Sequence, residues 1–151
     1  MGCANPRGGG CDGEHSMFVI NEPEIGAHAK KIVRKVWGTE FWIINNDRYC
    51  MKVLKINPGF QCSIHRHEQK DETFIGLQGT LRLDIHDEKG KIAQTHGIDS
   101  GKRVRIRPGV YHSFQATNLT WVMEVSTPHS DEDVTRIQES RKINGEGNEG
   151  N

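Results

Sequence analysis

Between Trp37 and Thr127 apolar and polar residues alternate with a period of two over short runs separated by turn-forming residues. That spacing sends one side of a β-strand to a core and the other to water. It predicts strands over 39–45, 49–57, 72–77, 80–86, 102–107, 112–115 and 121–127. Over 49–57, Cys50, Lys52, Leu54 and Ile56 fall on one face and Met51, Val53 and Lys55 on the other. Leu81, Leu83 and Ile85 oppose Arg82, Asp84 and His86, and Val122, Glu124 and Ser126 share a face of the last strand. Turns are expected at Asn45-Asn46-Asp47, Pro58-Gly59, Gln78-Gly79, Asp87 to Gly90 and Pro108-Gly109. No internal repeat is present, so an all-β fold of one small antiparallel barrel is expected, its edges removed by closing.

Different periods mark the flanks. Ile25, Ala29, Ile32, Val33 and Val36 recur near helical spacing, predicting a short helix over 24–35, with a lead-in strand pairing across a dimer as its rival. Ser130 followed by Asp131, Glu132 and Asp133 resembles a helix start, a capping hydroxyl with acids in the first turn. The expected organisation is a polar tail over 1–16, one domain over 17–140 with a short helix before and after the barrel, and a second tail over 141–151.

Composition narrows the function classes. A chain of 151 residues suits one domain with a core of its own. Twenty basic residues balance 20 acidic ones, which gives no electrostatic case for nucleic acid or an anionic membrane, and no apolar run is long enough for a spanning helix. Cys3, Cys11, Cys50 and Cys62 form no CxxC pair and follow no secretion signal, so free thiols and a cytoplasmic location are expected. Arg103, Arg105 and Arg107 alternate with Val104 and Ile106. The basic row could hold a phosphate or a partner, but a solvated outer face is favoured because the valine and isoleucine need the core side.

The candidate chemistry lies between Gly59 and Gly79. His65 and His67 are one residue apart, so on a strand they project together, and Glu72 follows across a tight turn through 68–71 at the start of a second, antiparallel strand. Two imidazoles and a carboxylate converging from adjacent strands suit a divalent transition metal, and His112 is the candidate fourth ligand. His15, His28, His86, His96 and His129 have no partner at ligand spacing and are read as structural.

The spacing G-x5-H-x-H-x4-E-x6-G, met by Gly59, His65, His67, Glu72 and Gly79, resembles the first motif of the cupin superfamily. The second cupin motif is met in part. Gly101, Gly109 and His112 fall in place, while Arg107 stands where a proline belongs and Ala116 replaces an asparagine. The resemblance covers about 37–136 and implies a jelly-roll barrel holding Mn, Zn or Fe on His65, His67, Glu72 and His112. The phrases KDETF and EVST-x-HSDED further resemble sugar-isomerase cupins. D-lyxose isomerase carries a lysine three residues after its second metal histidine, the metal glutamate two after that, and a later glutamate before Val-Ser. Lys70 and Glu124 stand at those positions, and Lys35-Val36-Trp37-Gly38 is similar to a stretch of type II mannose-6-phosphate isomerase cupins. The chain departs from both in its short single barrel and its flanking segments.

Aldose–ketose isomerisation through a metal-held enediol needs a proton shuttle between C1 and C2 and charge relief on O1 and O2. Glu124 could be the shuttle, since a carboxylate amid Trp121, Val122, Met123 and Val125 needs a reason to be there. Lys70 could protonate or bind a substrate oxygen, or be a solvent-facing loop residue. The expectation is a sugar or sugar-phosphate isomerase or epimerase acting on a small-molecule substrate as a homodimer, without nucleic acid or membrane. An Fe(II)-dependent dioxygenase and a non-catalytic metal- or sugar-binding cupin are the alternatives.

Overall fold

A computed structural model of the chain describes residues 19–143. One helix, α1 (Glu22–His28), precedes β1 (Lys31–Lys35), β2 (Gly38–Asn45), β3 (Cys50–Ile56), β4 (Phe60–Gln61), β5 (Ile64–Arg66) and β6 (Glu72–Gln78). There follow β7 (Leu81–His86), β8 (Ile92–Ile98), β9 (Arg103–Ile106), β10 (Tyr111–Ala116), β11 (Thr120–Ser126), β12 (Thr135–Gln138) and β13 (Arg141–Lys142). Two antiparallel sheets face one another. One runs β1-β2-β3-β11-β6-β9, the other β12-β5-β10-β4-β13, with β7 pairing β10 and β8 beyond it. The expected barrel of alternating strands is the fold observed.

Between the sheets the inward residues of both pack into one apolar cluster that includes Leu54, Ile56, Phe74, Leu81, Leu83, Phe114 and Val122. A second cluster lies on the outer side of the first sheet, where Phe41, Val53, Leu77 and Trp121 are covered by Ile25 and Ala29. Phe41 stacks on Trp121 there at 5.9 Å between ring centroids. Both glycines that bracket the histidine segment are required by the backbone, Gly59 at φ +83° and Gly79 at φ +75°, a region side chains rarely adopt.

Two expectations change at the flanks. The predicted 24–35 helix ends at His28, and Lys31–Lys35 forms a strand paired with β2 of the same chain, Lys31 opposite Trp42 and Lys35 opposite Gly38. Asn21 caps the helix by accepting from the Glu24 N–H, and the β-branched pair Ile32-Val33 falls in the strand. The helix expected from Ser130 is absent. Asp133 is engaged elsewhere, as shown below, and β12 pairs with β5 instead. Beyond residue 140, Arg141 pairs with Gln61 and the Ile143 N–H donates to the Gly59 carbonyl at 2.9 Å. The tails over 1–16 and 144–151, with Cys3, Cys11 and His15, lie outside the described residues. Cys50 and Cys62 are buried free thiols. No helix among the described residues is long and apolar enough to cross a membrane.

Candidate metal centre and cavity

His65 lies on β5 directly opposite His112 on β10, and their rings are 4.5 Å apart between centroids. His67 follows β5, and Glu72 is the first residue of β6. The expected hairpin between the histidine strand and the Glu72 strand does not form. β5 and β6 belong to different sheets, so the turn carries the chain across the barrel and the carboxylate meets the imidazoles from the facing wall. The crossing is held by Asp133, whose carboxylate accepts from the backbone N–H groups of Glu68, Gln69 and Lys70 at 2.8–3.3 Å. One carboxylate thereby ties three consecutive backbone donors of the turn to the segment before β12.

One ligand atom from each of His65, His67, Glu72 and His112 lies within 4.8 Å of the others. All four predicted ligands are therefore brought together. Each imidazole is oriented the same way, with Nδ1 donating to a backbone carbonyl: His65 to Ser63 at 2.9 Å, His67 to Asp133 at 2.6 Å, His112 to Val110 at 2.9 Å. A carbonyl can only accept, so the hydrogen sits on Nδ1 and the Nε2 lone pair remains for coordination. Burial, with the His112 ring next in effect, holds His65 well below the usual histidine range; burial also lowers His67. Burial opposes ionisation of Glu72, but the approach of His112, Lys70 and His67 outweighs it and keeps the carboxyl well below the usual range. Neutral imidazoles and an ionised carboxylate are the forms a metal takes.

The donor set fits a divalent ion on a further observation. His112 Nε2 lies 2.8 Å from Glu72 Oε1, both side chains 1% exposed, yet neither atom has a hydrogen-bond partner. With the His112 hydrogen on Nδ1, no proton lies between these two buried acceptor atoms, and a shared cation would satisfy both. Left without a cation, such groups carry the full desolvation cost.

The two predicted catalytic residues stand beside this cluster. Lys70 is buried, its Nζ 2.9 Å from Glu72 Oε2 and 3.3 Å from Glu124 Oε2, which disposes of the solvent-facing reading. Burial disfavours its charge, but Glu124 and Glu72 together raise its pKa, so it is an ammonium. Burial pushes Glu124 up, with Lys70 pulling it the other way, and its Oε2 is buried against the Lys70 ammonium.

A cavity of about 570 Å³ opens over these groups. Its wall includes residues the sequence reading passed over. Lys52, 2% exposed, places Nζ 3.7 Å from Glu124 Oε2, 3.5 Å from Glu40 Oε2 and 3.3 Å from His129 Nδ1, under the Trp42 ring. The signal was there: alternation puts Lys52 on the same face as Cys50, Leu54 and Ile56, a core face where an ammonium requires partners. His129, read as structural, lines the cavity, its Nε2 donating to Asp131 at 3.0 Å. His86 is structural as expected, bonded to Ser113 and Gly90. The arginine row faces outward, with Arg103, Arg105 and Arg107 exposed and Arg105 paired to Asp71.

Comparison with known proteins follows the same lines. A family model described as "Domain of unknown function (DUF6016)" matches residues 24–98. The chain is 28% identical over 111 residues to a D-lyxose/D-mannose isomerase of Thermosediminibacter oceani, a match that covers 60% of this chain and 61% of that protein. Among solved structures, oxalate decarboxylase from Bacillus subtilis superposes with a TM-score of 0.61 at 17% identity, over 74% of this chain and 31% of that one. KdgF from Halomonas sp. superposes with a TM-score of 0.58 at 13% identity, over 68% of this chain and 91% of that one. The chain thus spans less than two thirds of the isomerase and about a third of the decarboxylase. Two facing antiparallel sheets and these likenesses agree: the chain has the fold of a single-barrel cupin and is similar in sequence, over part of its length, to a sugar isomerase.

Proposed function

We propose that this cupin is a divalent-metal-dependent sugar or sugar-phosphate isomerase or epimerase, interconverting an aldose and a ketose. The observation that carries the reading is Glu124: a buried carboxylate paired with Lys70 beside the four-residue ligand cluster, on the wall of an open cavity. His65, His67, Glu72 and His112 would hold the ion, which when bound supplies charge relief on two neighbouring substrate oxygens.

Aldose-to-ketose conversion moves one proton from C2 to C1 and another from O2 to O1. Glu124 takes the carbon-bound proton, and burial makes it a stronger base than an ordinary carboxylate. Lys70, an ammonium fixed by Glu72, donates to the substrate oxygens as their proton moves. A homodimer belongs to the same proposal. β1 is an edge strand, and it and the turn after it expose Ile32 and Val36, so light scattering on the purified protein should report twice the chain mass.

The test is proton–deuterium exchange at C2 for a panel of aldoses and their phosphates with the metal-loaded protein. Glu124→Gln should lower exchange by about 10²–10⁴-fold while ion content and sugar affinity persist. Absence of exchange with every sugar in the panel would exclude the proposal. Exchange unchanged in the glutamine variant would remove Glu124 from the mechanism.

A further inference from the structure

Two edge strands, one from each sheet, border the mouth of the cavity, and each brings a cation that the proposed chemistry leaves unused. On β12, Arg136 lies directly opposite His65. Directly opposite residues of an antiparallel pair share a face of the sheet. Arg136 therefore projects on the side of the ligand histidine, one strand spacing of about 4.8 Å outward. It lines the cavity, and its guanidinium has no hydrogen bond or ion pair with any described residue. On β1, alternation from Lys31, opposite the cavity-wall residue Trp42, puts Lys35 on the inward face as well. Its one partner among the described residues is Glu40 Oε1, at 4.0 Å. Deeper in, the cations are matched: Lys70 by Glu72 and Glu124, Lys52 by Glu40. The cavity lining carries five cations and four carboxylates, and Glu72 in the ligand cluster is the fifth carboxylate. A bound divalent ion therefore leaves an excess of positive charge that only an anion answers.

We infer that Arg136 and Lys35 form an anion subsite at the cavity mouth, which takes the terminal phosphate of a sugar monophosphate. The guanidinium fork matches two phosphate oxygens at once, and the ammonium adds a second donor from the other sheet. A sugar carboxylate fits the same fork but carries a single charge. A phosphate monoester carries about −1.5 to −2 at neutral pH and answers the excess. With two oxygens of the sugar held at the buried ligand cluster, its far end lies toward the exposed Arg136, where a terminal phosphate belongs. Glu139 lines the same rim, unpaired among the described residues, and its charge opposes an anion there. The inference rests on the isomerase reading for the sugar and deepens it by choosing the phosphorylated substrate class over the free sugar.

The test is calorimetric titration of the zinc-loaded full chain with D-mannose and D-ribose, their terminal phosphate esters, and D-mannuronate. Wild type is expected to bind a phosphate ester about tenfold or more tightly than its parent sugar. Arg136→Gln should remove that preference while zinc content and free-sugar affinity, which report on folding, stay at wild-type levels. Arg136→Lys should keep part of the preference, Lys35→Gln should reduce it, and Glu139→Gln should increase it. Absence of the preference in wild type overturns the subsite, as does an equal loss for sugar and ester in Arg136→Gln. A preference that survives Arg136→Gln would put the phosphate on the zinc instead, and tighter binding of mannuronate than of the esters would overturn the phosphate assignment. Should Arg136→Gln lose zinc, Lys35→Gln decides, because Lys35 lies on the other sheet from His65: an undiminished preference there overturns the subsite. Failure of every sugar and ester to bind wild type overturns both the subsite and the sugar reading. Phosphate-selective binding without C2 exchange leaves the subsite intact and overturns the isomerase alone; C2 exchange without phosphate preference does the reverse.

Discussion

The barrel interior has two ends built from the same strands. On β3, Leu54 and Ile56 give way to Lys52; on β11, Val122 gives way to Glu124; on β6, Phe74 gives way to Glu72; on β10, Phe114 gives way to His112. In every case a step of two residues along one face passes from hydrocarbon to a charged or ligating group. The period that buries the side chain is the same at both ends. Only the chemistry of the group differs, so one end gains free energy from apolar burial while the other spends it on desolvated charges that require partners.

The difference predicts opposite responses to substitution. The largest effect belongs to the polar end: His112→Ala should abolish stoichiometric zinc uptake. Its loss of affinity should exceed the roughly 10–100-fold typical of losing an outer-sphere partner. Elemental analysis after dialysis reads it directly, and retention of a full equivalent would contradict the ligand assignment. Next is the apolar end, where Leu83→Ala should cost about 2–5 kcal/mol in denaturant unfolding and leave zinc content unchanged.

A smaller effect follows from His129, at the rim between the ends. Burial first, then Lys52 and Lys70, lower its pKa to about 4, with Asp131 opposing. The unfolded chain protonates this histidine near an ordinary value of about 6.5. The folded chain resists protonation down to about 4, so the stability contributed by the neutral ring is complete above the unfolded value and is lost as pH falls through that window. Urea midpoints of metal-free protein should decline from about pH 6.5 to 4, and less steeply in His129→Asn. Identical slopes would remove His129 from the account. The smallest effect is expected outside the barrel. Arg105→Ala breaks an exposed ion pair with Asp71 and should leave both the denaturation midpoint and zinc content within experimental scatter.

The sequence made the strands, and His65, His67 and Glu72 among the candidate ligands, legible because each depends on local spacing, whereas His112 was reached through the family resemblance. Strand alternation marks Leu81, Leu83 and Ile85, and the H-x-H pair with Glu72 fits a strand and a crossing turn wherever the two sheets lie. The role of Asp133 was not legible. Its partners are the N–H groups of residues 68–70, more than 60 positions away, and the local pattern after Ser130 favours a helix that tertiary pairing overrides. The same holds for Glu40, Trp42 and His129, which enter the cavity from strands and loops whose proximity only the sheet order determines. Lys52 lies between these cases: its face was readable, and its partners were not.

Anomalous diffraction at the zinc edge from crystals of the zinc-loaded protein tests the account most directly. One peak per chain is predicted, about 2.0–2.2 Å from the Nε2 atoms of His65, His67 and His112 and from an oxygen of Glu72. A peak bound elsewhere, or a zinc-free barrel with His112 Nε2 hydrogen-bonded to Glu72, would contradict it.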